Sequence, residues 1–415
     1  MVVVDSRPQP PFAQQARESF PDAEYRLGVE SIDYSDIDQL VVSPGVDING
    51  CLVRSALNRG IKLSSDIDLF CAAANAPVVA ITGTNGKSTV TALAGHLMAS
   101  AGWNVGVGGN LGEPALDLLD AQRECYVLEL SSFQLERLSV WEFAAATILN
   151  ISEDHIDRHG SVANYASSKQ RIYRNCGLAV VNRHDPRTVP QASVTRTTSF
   201  GLDEPTDGNW GIRGGWLVLA ERGIWRQVCE VSELPLAGTH NQLNTLAACA
   251  LAHGAGVDIE ALAAGIRSFA GLPHRCQAVG EHAGVAYVND SKATNVGATV
   301  AALEGLGEGQ GKNLLLIAGG DGKQADFAPL RSPVQRFVKA LVLMGKDAAR
   351  LEQTLNLSVP VIHVRDMDSA VAEARALAEP GDTVLLSPAC ASLDMFDNFA
   401  DRGSQFAAAV AGAAG

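Results

Sequence analysis

The segment Ala80-Ile81-Thr82-Gly83-Thr84-Asn85-Gly86-Lys87-Ser88-Thr89 carries the groups needed to hold a nucleotide triphosphate. The apolar run at 78–81 reads as a strand that enters a turn with two glycines. Backbone N–H groups at the start of the following helix would face phosphates, the helix dipole favours negative charge there, and Lys87 adds a cation. Ser88 is placed to bind the Mg²⁺ that accompanies such phosphates. The spacing departs from the usual phosphate loop: two residues, not four, separate Gly83 from Gly86, and Ile81 stands where the first glycine would be. Val90, Leu93, Ala94, Leu97, Met98 and Ala101 follow at helical spacing, so strand, turn and helix come in the order that phosphate binding requires.

Further candidates stand at the ends of other apolar runs. Glu129 closes the run 126–130 ahead of Ser131-Ser132-Phe133-Gln134. A carboxylate there is either a Mg²⁺ partner or a strand-end acid facing water. Asn150-Ile151-Ser152-Glu153-Asp154-His155 closes the next run, and His155 can ligate, hydrogen-bond, or be one more structural histidine among nine. Lys169 lies in an expected helix over 165–174, where the residues themselves assign it no role. Asn241 and Asn244 share a face in the first turn of an alanine-rich helix; they bind a base or ribose, or they cap the helix. His274-Arg275 follows Gly271-Leu272-Pro273, which reads as a hinge, and Asp290-Ser291-Lys292-Ala293-Thr294-Asn295 ends a strand. Arg275, Lys292 and Lys323 are cations at hinge and strand-end positions, an arrangement suited to clamping an anion.

The elements that must position these residues alternate strand and helix, which implies α/β architecture with a mostly parallel, doubly wound sheet. Ligands bind such sheets at the carboxyl ends of strands. At 415 residues the chain exceeds one ordinary core. Three domains are expected: 1–68, a small α/β unit; 69–271, with the phosphate loop and antiparallel hairpins over 195–235; and 272–415, with strands at 285–289, 314–318, 340–344, 361–364 and 383–386. Trp210, Trp216 and Trp225 read as sheet packing. Composition is 47% apolar and 19% charged, with no apolar run long enough to span a membrane. The net charge of −14 argues against a nucleic-acid surface. Eight cysteines show no zinc spacing, and several sit in apolar surroundings, which points to reduced thiols and a cytoplasmic setting.

Together the motifs resemble the Mur ligases, ATP-dependent amide-forming enzymes of peptidoglycan precursor synthesis. The residues that carry the resemblance are TGTNGKST (82–89), GVGGNLG (106–112), LELSSFQLE (128–136), ILNISEDHIDRH (148–159), GTHNQLN (238–244), GLPHR (271–275), NDSKATN (289–295), GGDGKQADF (319–327) and SPACASLDMFDNF (387–399). The short glycine spacing is what this family uses. The resemblance implies a truncated Rossmann-like first domain, a central ATPase-like domain and a Rossmann-like last domain. It implies D-glutamate addition to UDP-N-acetylmuramoyl-L-alanine through an acyl phosphate. It implies Gly83, Thr84, Asn85, Gly86, Lys87, Ser88, Thr89, Asn241, Asn244, His274, Arg275, Asp290 and Lys292 around ATP. Two Mg²⁺ would be held by Ser88, Glu129, His155 and Lys169, the last as a CO₂ adduct, with Lys87, Glu129, His155 and Lys169 as the catalytic set. Asp5, Ser6, Arg7, Asn110, Ser131 and Gln134 would contact the UDP substrate, and Thr294, Lys323, Ser392 and Phe399 would receive glutamate. A monomer is expected. The family's first domain opens with a strand and glycine turn ahead of the segment matching Val3-Val4-Asp5-Ser6-Arg7; this chain starts at the second strand, and a start site placed too late is the expectation, a shortened domain the alternative. Folylpolyglutamate synthase and a non-catalytic nucleotide-binding protein are the competing readings. The first is not expected to carry Asp5-Ser6-Arg7, and the second is not expected to keep Glu129, His155, Lys169 and Lys323 together.

Overall fold

The computed structural model describes residues 1–139, 141–236, 238–307, 311–356 and 358–412. At its centre is a nine-stranded sheet. In spatial order the strands are Ile224–Glu230, Trp216–Glu221, Trp210–Arg213, Arg196–Phe200, Leu178–Asn182, Ala145–Ile148, Val78–Thr82, Cys125–Glu129 and Val105–Gly109. From Arg196–Phe200 to Val105–Gly109 all pairings are parallel. Most of these strands read as near-continuous apolar runs because helices cover both faces. Val79 and Ile81 point into one core, under helices Lys87–Ser100, Thr239–Ala255 and Ile259–Ser268. Val78 and Ala80 point into the other, with Phe70, Leu135 and Tyr165. The two-residue alternation of a strand divides one short run between two cores.

The chain leaves Val78–Thr82, runs to the edge strand Val105–Gly109 and returns to Cys125–Glu129, which lies between them. Strand order therefore reverses beside Val78–Thr82, and a crevice opens at its carboxyl end. The antiparallel hairpins expected over 195–235 are attached to this sheet: Phe200 pairs in parallel with Trp210, and the antiparallel strands extend it. Trp210 is buried, edge-on to His253 at 5.8 Å.

The last domain has a six-stranded sheet in the order Gln277–His282, Val285–Asn289, Thr383–Leu386, Leu314–Gly319, Val338–Met344, Val361–His363. Only the Gln277–His282 edge strand is antiparallel. The sequence pattern did not mark that strand, because its residues are half-buried or exposed and carry little apolar alternation. Gly271, at φ 79°, lies in the connection between helix Ile259–Ser268 and this strand.

Residues 1–65 are built differently. Two parallel pairs, Val2–Asp5 with Glu24–Leu27 and Gln39–Val41 with Lys62–Ser64, do not join into one sheet. Helix Asp66–Ala73 runs across the expected boundary at 68, and its Ile67 and Phe70 belong to the central core, so the central unit begins at this helix. Arg137 of the central domain donates to the carbonyls of Ser43 and Val46, and Arg158 pairs with Asp47 at 3.0 Å, fastening the first region in place. Among the described residues no helix is long and apolar enough to cross a membrane. All eight cysteines are free thiols, and burial pushes the Cys125 thiol up to about 12.

Candidate nucleotide and acceptor site

Strand Val78–Thr82 delivers the phosphate loop, and the loop conformation depends on glycine. Gly86 sits at φ 83° immediately before helix Lys87–Ser100, and a Cβ there would stand 2.5 Å from Asn244 Oδ1. The loop is braced by Asn150, whose side chain accepts from the Asn85 N–H at 2.9 Å and donates to the Asn85 carbonyl at 3.0 Å. Thr84 and Ser152 are linked by two further bonds. Thr89 is buried in the first turn of the helix.

Two lysines meet at this loop. Lys87 Nζ donates to the carbonyls of Gly83 at 3.0 Å and Thr84 at 2.9 Å. Lys169 Nζ donates to the same Gly83 carbonyl at 2.9 Å and to Thr82 Oγ1 at 3.2 Å. Lys169 is 1% exposed and has no carboxylate in ion-pair contact among the described residues. Burial, and then the nearby Lys87, holds its ammonium well below the ordinary lysine range. Burial lowers Lys87 as well, opposed by Glu129 and Asp154. Two ammonium groups on one carbonyl oxygen repel, so this geometry disfavours both being charged.

Glu129 stands at the end of the adjacent strand, in register with Ile81. It is 2% exposed; Oε1 accepts from Asn110 Nδ2 at 2.7 Å, and Oε2 has no hydrogen-bond partner among the described residues. A buried carboxylate oxygen without a donor is costly, and a cation on Oε2 would remove that cost. Ser88 Oγ, in the first turn of the helix that follows the phosphate loop, supplies a second oxygen. A hard oxygen set of this kind suits Mg²⁺ on a nucleotide, because Mg²⁺ takes one or two protein ligands and fills its shell with phosphate and water. No cluster of three or more His, Cys, Asp or Glu side chains of metal-holding geometry occurs among the described residues. His155 is half exposed at φ 53°; its ring lies 6.4 Å from that of Tyr165, over which Lys169 Nζ sits at 4.6 Å.

The last domain closes the crevice from the other side. Arg275 Nη2 donates to Ser88 Oγ at 2.5 Å, and Asn295 Nδ2 reaches Asn85 Oδ1 at 3.3 Å and Asp154 Oδ2 at 3.4 Å. The resulting cavity of about 730 Å³ is lined by the phosphate loop, Glu129, His155, Asn241, Asn244, Arg275, Asp290, Lys292 and Thr294. Burial lowers the Arg275 guanidinium and, with Arg275 itself beside it, brings Lys292 down to about 8. Burial raises the Asp290 carboxyl to about 7 against hydrogen bonds from Ser387 Oγ at 2.8 Å and the Cys276 N–H at 3.2 Å. Asn241 and Asn244 do not cap their helix: the residue before it is Gly238, with no side-chain cap, and Asn244 Nδ2 donates to Asn241 Oδ1 at 3.2 Å.

The remaining expected residues fall outside this cavity. His274 packs edge-on to Phe399 at 6.3 Å, and Lys292 Nζ lies 3.7 Å from the Phe399 ring centre. Ser392 is buried, while Lys323 is exposed in the left-handed region at φ 46°. Ser131 and Gln134 satisfy each other in a capping box on helix Ser132–Arg137, and Gln134 also reaches Asp66 at 3.3 Å. Asp5 and Arg7 form a local ion pair at 2.7 Å, which holds the Asp5 carboxyl down at about 2; Ser6 is exposed. The sequence motifs pointed past Asn150, Asp154 and Asn295, which brace the loop and bridge the domains; all three lie within quoted motifs, but nothing in spacing alone sets them apart. They also gave no signal for Arg402, a fully buried guanidinium that donates to Ser291 Oγ at 2.9 Å, the Ser291 carbonyl at 2.8 Å and the Cys390 carbonyl at 3.2 Å.

Residues 81–252 match the Mur ligase middle domain, and residues 274–390 match the Mur ligase glutamate ligase domain. The chain belongs to the Mur ligase family. It is 49% identical over 416 residues to a UDP-N-acetylmuramoylalanine--D-glutamate ligase of Pseudomonas putida, covering 99% of this chain and 92% of the relative. The enzyme of that name from Marinobacter nauticus is 47% identical over 419 residues, covering 99% and 93%. Among solved structures, a MurF from Acinetobacter baumannii shares the fold at a TM-score of 0.65 and 19% identity, over 90% of this chain and 85% of that one. The phosphate loop, Glu129 and Asn244 lie within the middle-domain match, and Arg275, Asp290 and Lys292 within the glutamate ligase domain match.

Proposed function

We propose that the chain is an ATP-dependent ligase that joins D-glutamate to UDP-N-acetylmuramoyl-L-alanine in peptidoglycan precursor synthesis. The observation that carries this is the buried Glu129 with an unpartnered oxygen, set beside the phosphate loop and faced by Arg275 and Lys292 from the other domain. A carboxylate resists an amine until one oxygen becomes a leaving group. The γ-phosphate of ATP passes to the alanine carboxylate, giving an acyl phosphate and ADP. The glutamate amine then attacks the carbonyl, loses a proton and expels phosphate. Lys87, Arg275 and Lys292 screen the two anions as they approach. Asn241 and Asn244 hold the nucleoside, Thr294, Lys323, Ser392 and Phe399 take glutamate, and Asn110 with Asp5 and Arg7 orient the UDP substrate.

Ser88 and Glu129 would hold one Mg²⁺, and His155 with Lys169 as a carbamate would hold a second; the ions would supply charge neutralisation on the phosphates. Lys169 is read as a carbamate. With its ammonium held low, the neutral Lys169 amine would add to CO₂ and release one proton, and the resulting carbamate anion would remove the like-charge repulsion with Lys87. The last domain is read as moving about Gly271–Pro273. The decisive experiment measures phosphate release with each reactant omitted in turn, and with D- and L-glutamate compared. Release should need UDP-N-acetylmuramoyl-L-alanine and D-glutamate together and vanish in Lys87→Ala; equal release with a folate acceptor would reject the assignment.

A further inference from the structure

Helix Val296–Gly307 of the last domain crosses the start of helix Thr239–Ala255, and they meet at a point with no room for another atom. A Cβ built on Gly305 would stand 2.7 Å from His240 Nδ1, 2.9 Å from His240 Cε1 and 3.1 Å from the Gly238 Cα. A Cβ built on Gly238 would stand 3.0 Å from the Gly305 Cα. Near the other end of the same helix, a Cβ built on Gly297 would stand 3.2 Å from Asn85 Nδ2 and 3.4 Å from Ser152 Oγ. Glycine within a helix weakens it relative to alanine, so Gly305 needs a reason, and the close approach provides one. His240 provides the second observation. Its ring interacts with the Ala301 carbonyl across the interface, burial pushes its imidazole down to about 4, and Nδ1 is covered with no hydrogen-bond partner among the described residues. A neutral ring is held there although one nitrogen is left unsatisfied, which favours shape over polarity as the role of the contact.

We infer that the close seat of Gly305 against Gly238 and His240 is a positioning contact: its lack of spare room sets the register in which the last domain docks on the helix that carries Asn241 and Asn244. The register matters because Arg275 and Lys292 ride on the last domain, while Ser88 and Glu129 are fixed to the central sheet. A shift of about an ångström at the contact carries to the reacting groups and costs on the order of a hundredfold in rate. This inference rests on the ligase reading for its kinetic arm, but not for its structural one.

The test uses the full chain with Gly305→Ala. Alanine is the better helix former, so the melting temperature should hold or rise. Amide formation should fall on the order of tenfold to a hundredfold in kcat/KM, and the radius of gyration in solution scattering, with an ATP analogue present, should increase. Adding His240→Ala should recover most of the loss and return the scattering to the wild-type value, since it removes the atoms the new methyl meets first. His240→Ala alone should lower kcat/KM less than Gly305→Ala does. Wild-type kinetics and scattering for Gly305→Ala, or failure of the double variant to recover, would overturn the proposal. Wild-type protein that makes no amide rejects the ligase reading instead and leaves the scattering comparison to decide the contact.

Discussion

The central and first regions both set short parallel strands beside helices, yet they hold their residues in different ways. Val78–Thr82 is flanked by a strand on each side, every residue in it is buried, and helices cover both faces. Val2–Asp5 has a single partner and no buried residue, while nearby Phe12 and Phe20 are 79% and 58% exposed. Burying apolar surface is worth about 25 cal/mol per Å², so the central strands are held by packing on all sides. The first pair relies on a few backbone bonds. Glu129 is therefore aimed by its neighbours, whereas Arg7 is aimed mainly by its own Asp5.

That contrast orders the expected effects. Lys169→Ala strikes the region fixed by packing and should cost about a hundredfold in amide formation. Short carboxylates added to the assay should restore part of it and bicarbonate none; full activity would remove the carbamate and leave Lys169 a structural lysine. Arg7→Ala strikes the loosely held region. It should raise KM for the UDP substrate about tenfold, through loss of a charge-assisted contact, and leave KM for ATP unchanged. An equal rise in both would mean that the two regions are more tightly coupled than the packing shows.

The smallest effect is a pH limb. In the proposed reaction Lys292 would bring a cation to the phosphates only while protonated, and burial brings its ammonium down to about 8. As pH rises through that value the cation is lost, so KM for ATP should climb several-fold between about pH 7 and 9. Lys292→Arg keeps the charge and should flatten the limb; an unchanged limb would assign it elsewhere.

The phosphate loop, the strands of the last domain and the acid at the end of Cys125–Glu129 were legible because each is written in local sequence: an apolar run, a turn, then a helix period. The hairpins over 195–235 were legible as strands but not as part of the main sheet, since the join rests on a single backbone ladder pair, Phe200 with Trp210, between segments separated by a loop. That the helix across residue 68 packs into the central core was not legible for a similar reason: Ile67 and Phe70 join that core only in the folded chain, where Phe70 meets Tyr126 ring to ring at 5.0 Å.

By itself the sequence determined which side chains are available and which lie at strand ends, because helix and strand periods are local properties of the chain. It determined the family for the same reason, through short motifs read in order. Tertiary structure decided that Lys87 and Lys169 converge on one carbonyl, that Glu129 keeps an oxygen without a donor, and that Arg275 reaches Ser88. Those facts depend on strand order and on how two domains dock, and both are set by burial among residues far apart in the chain.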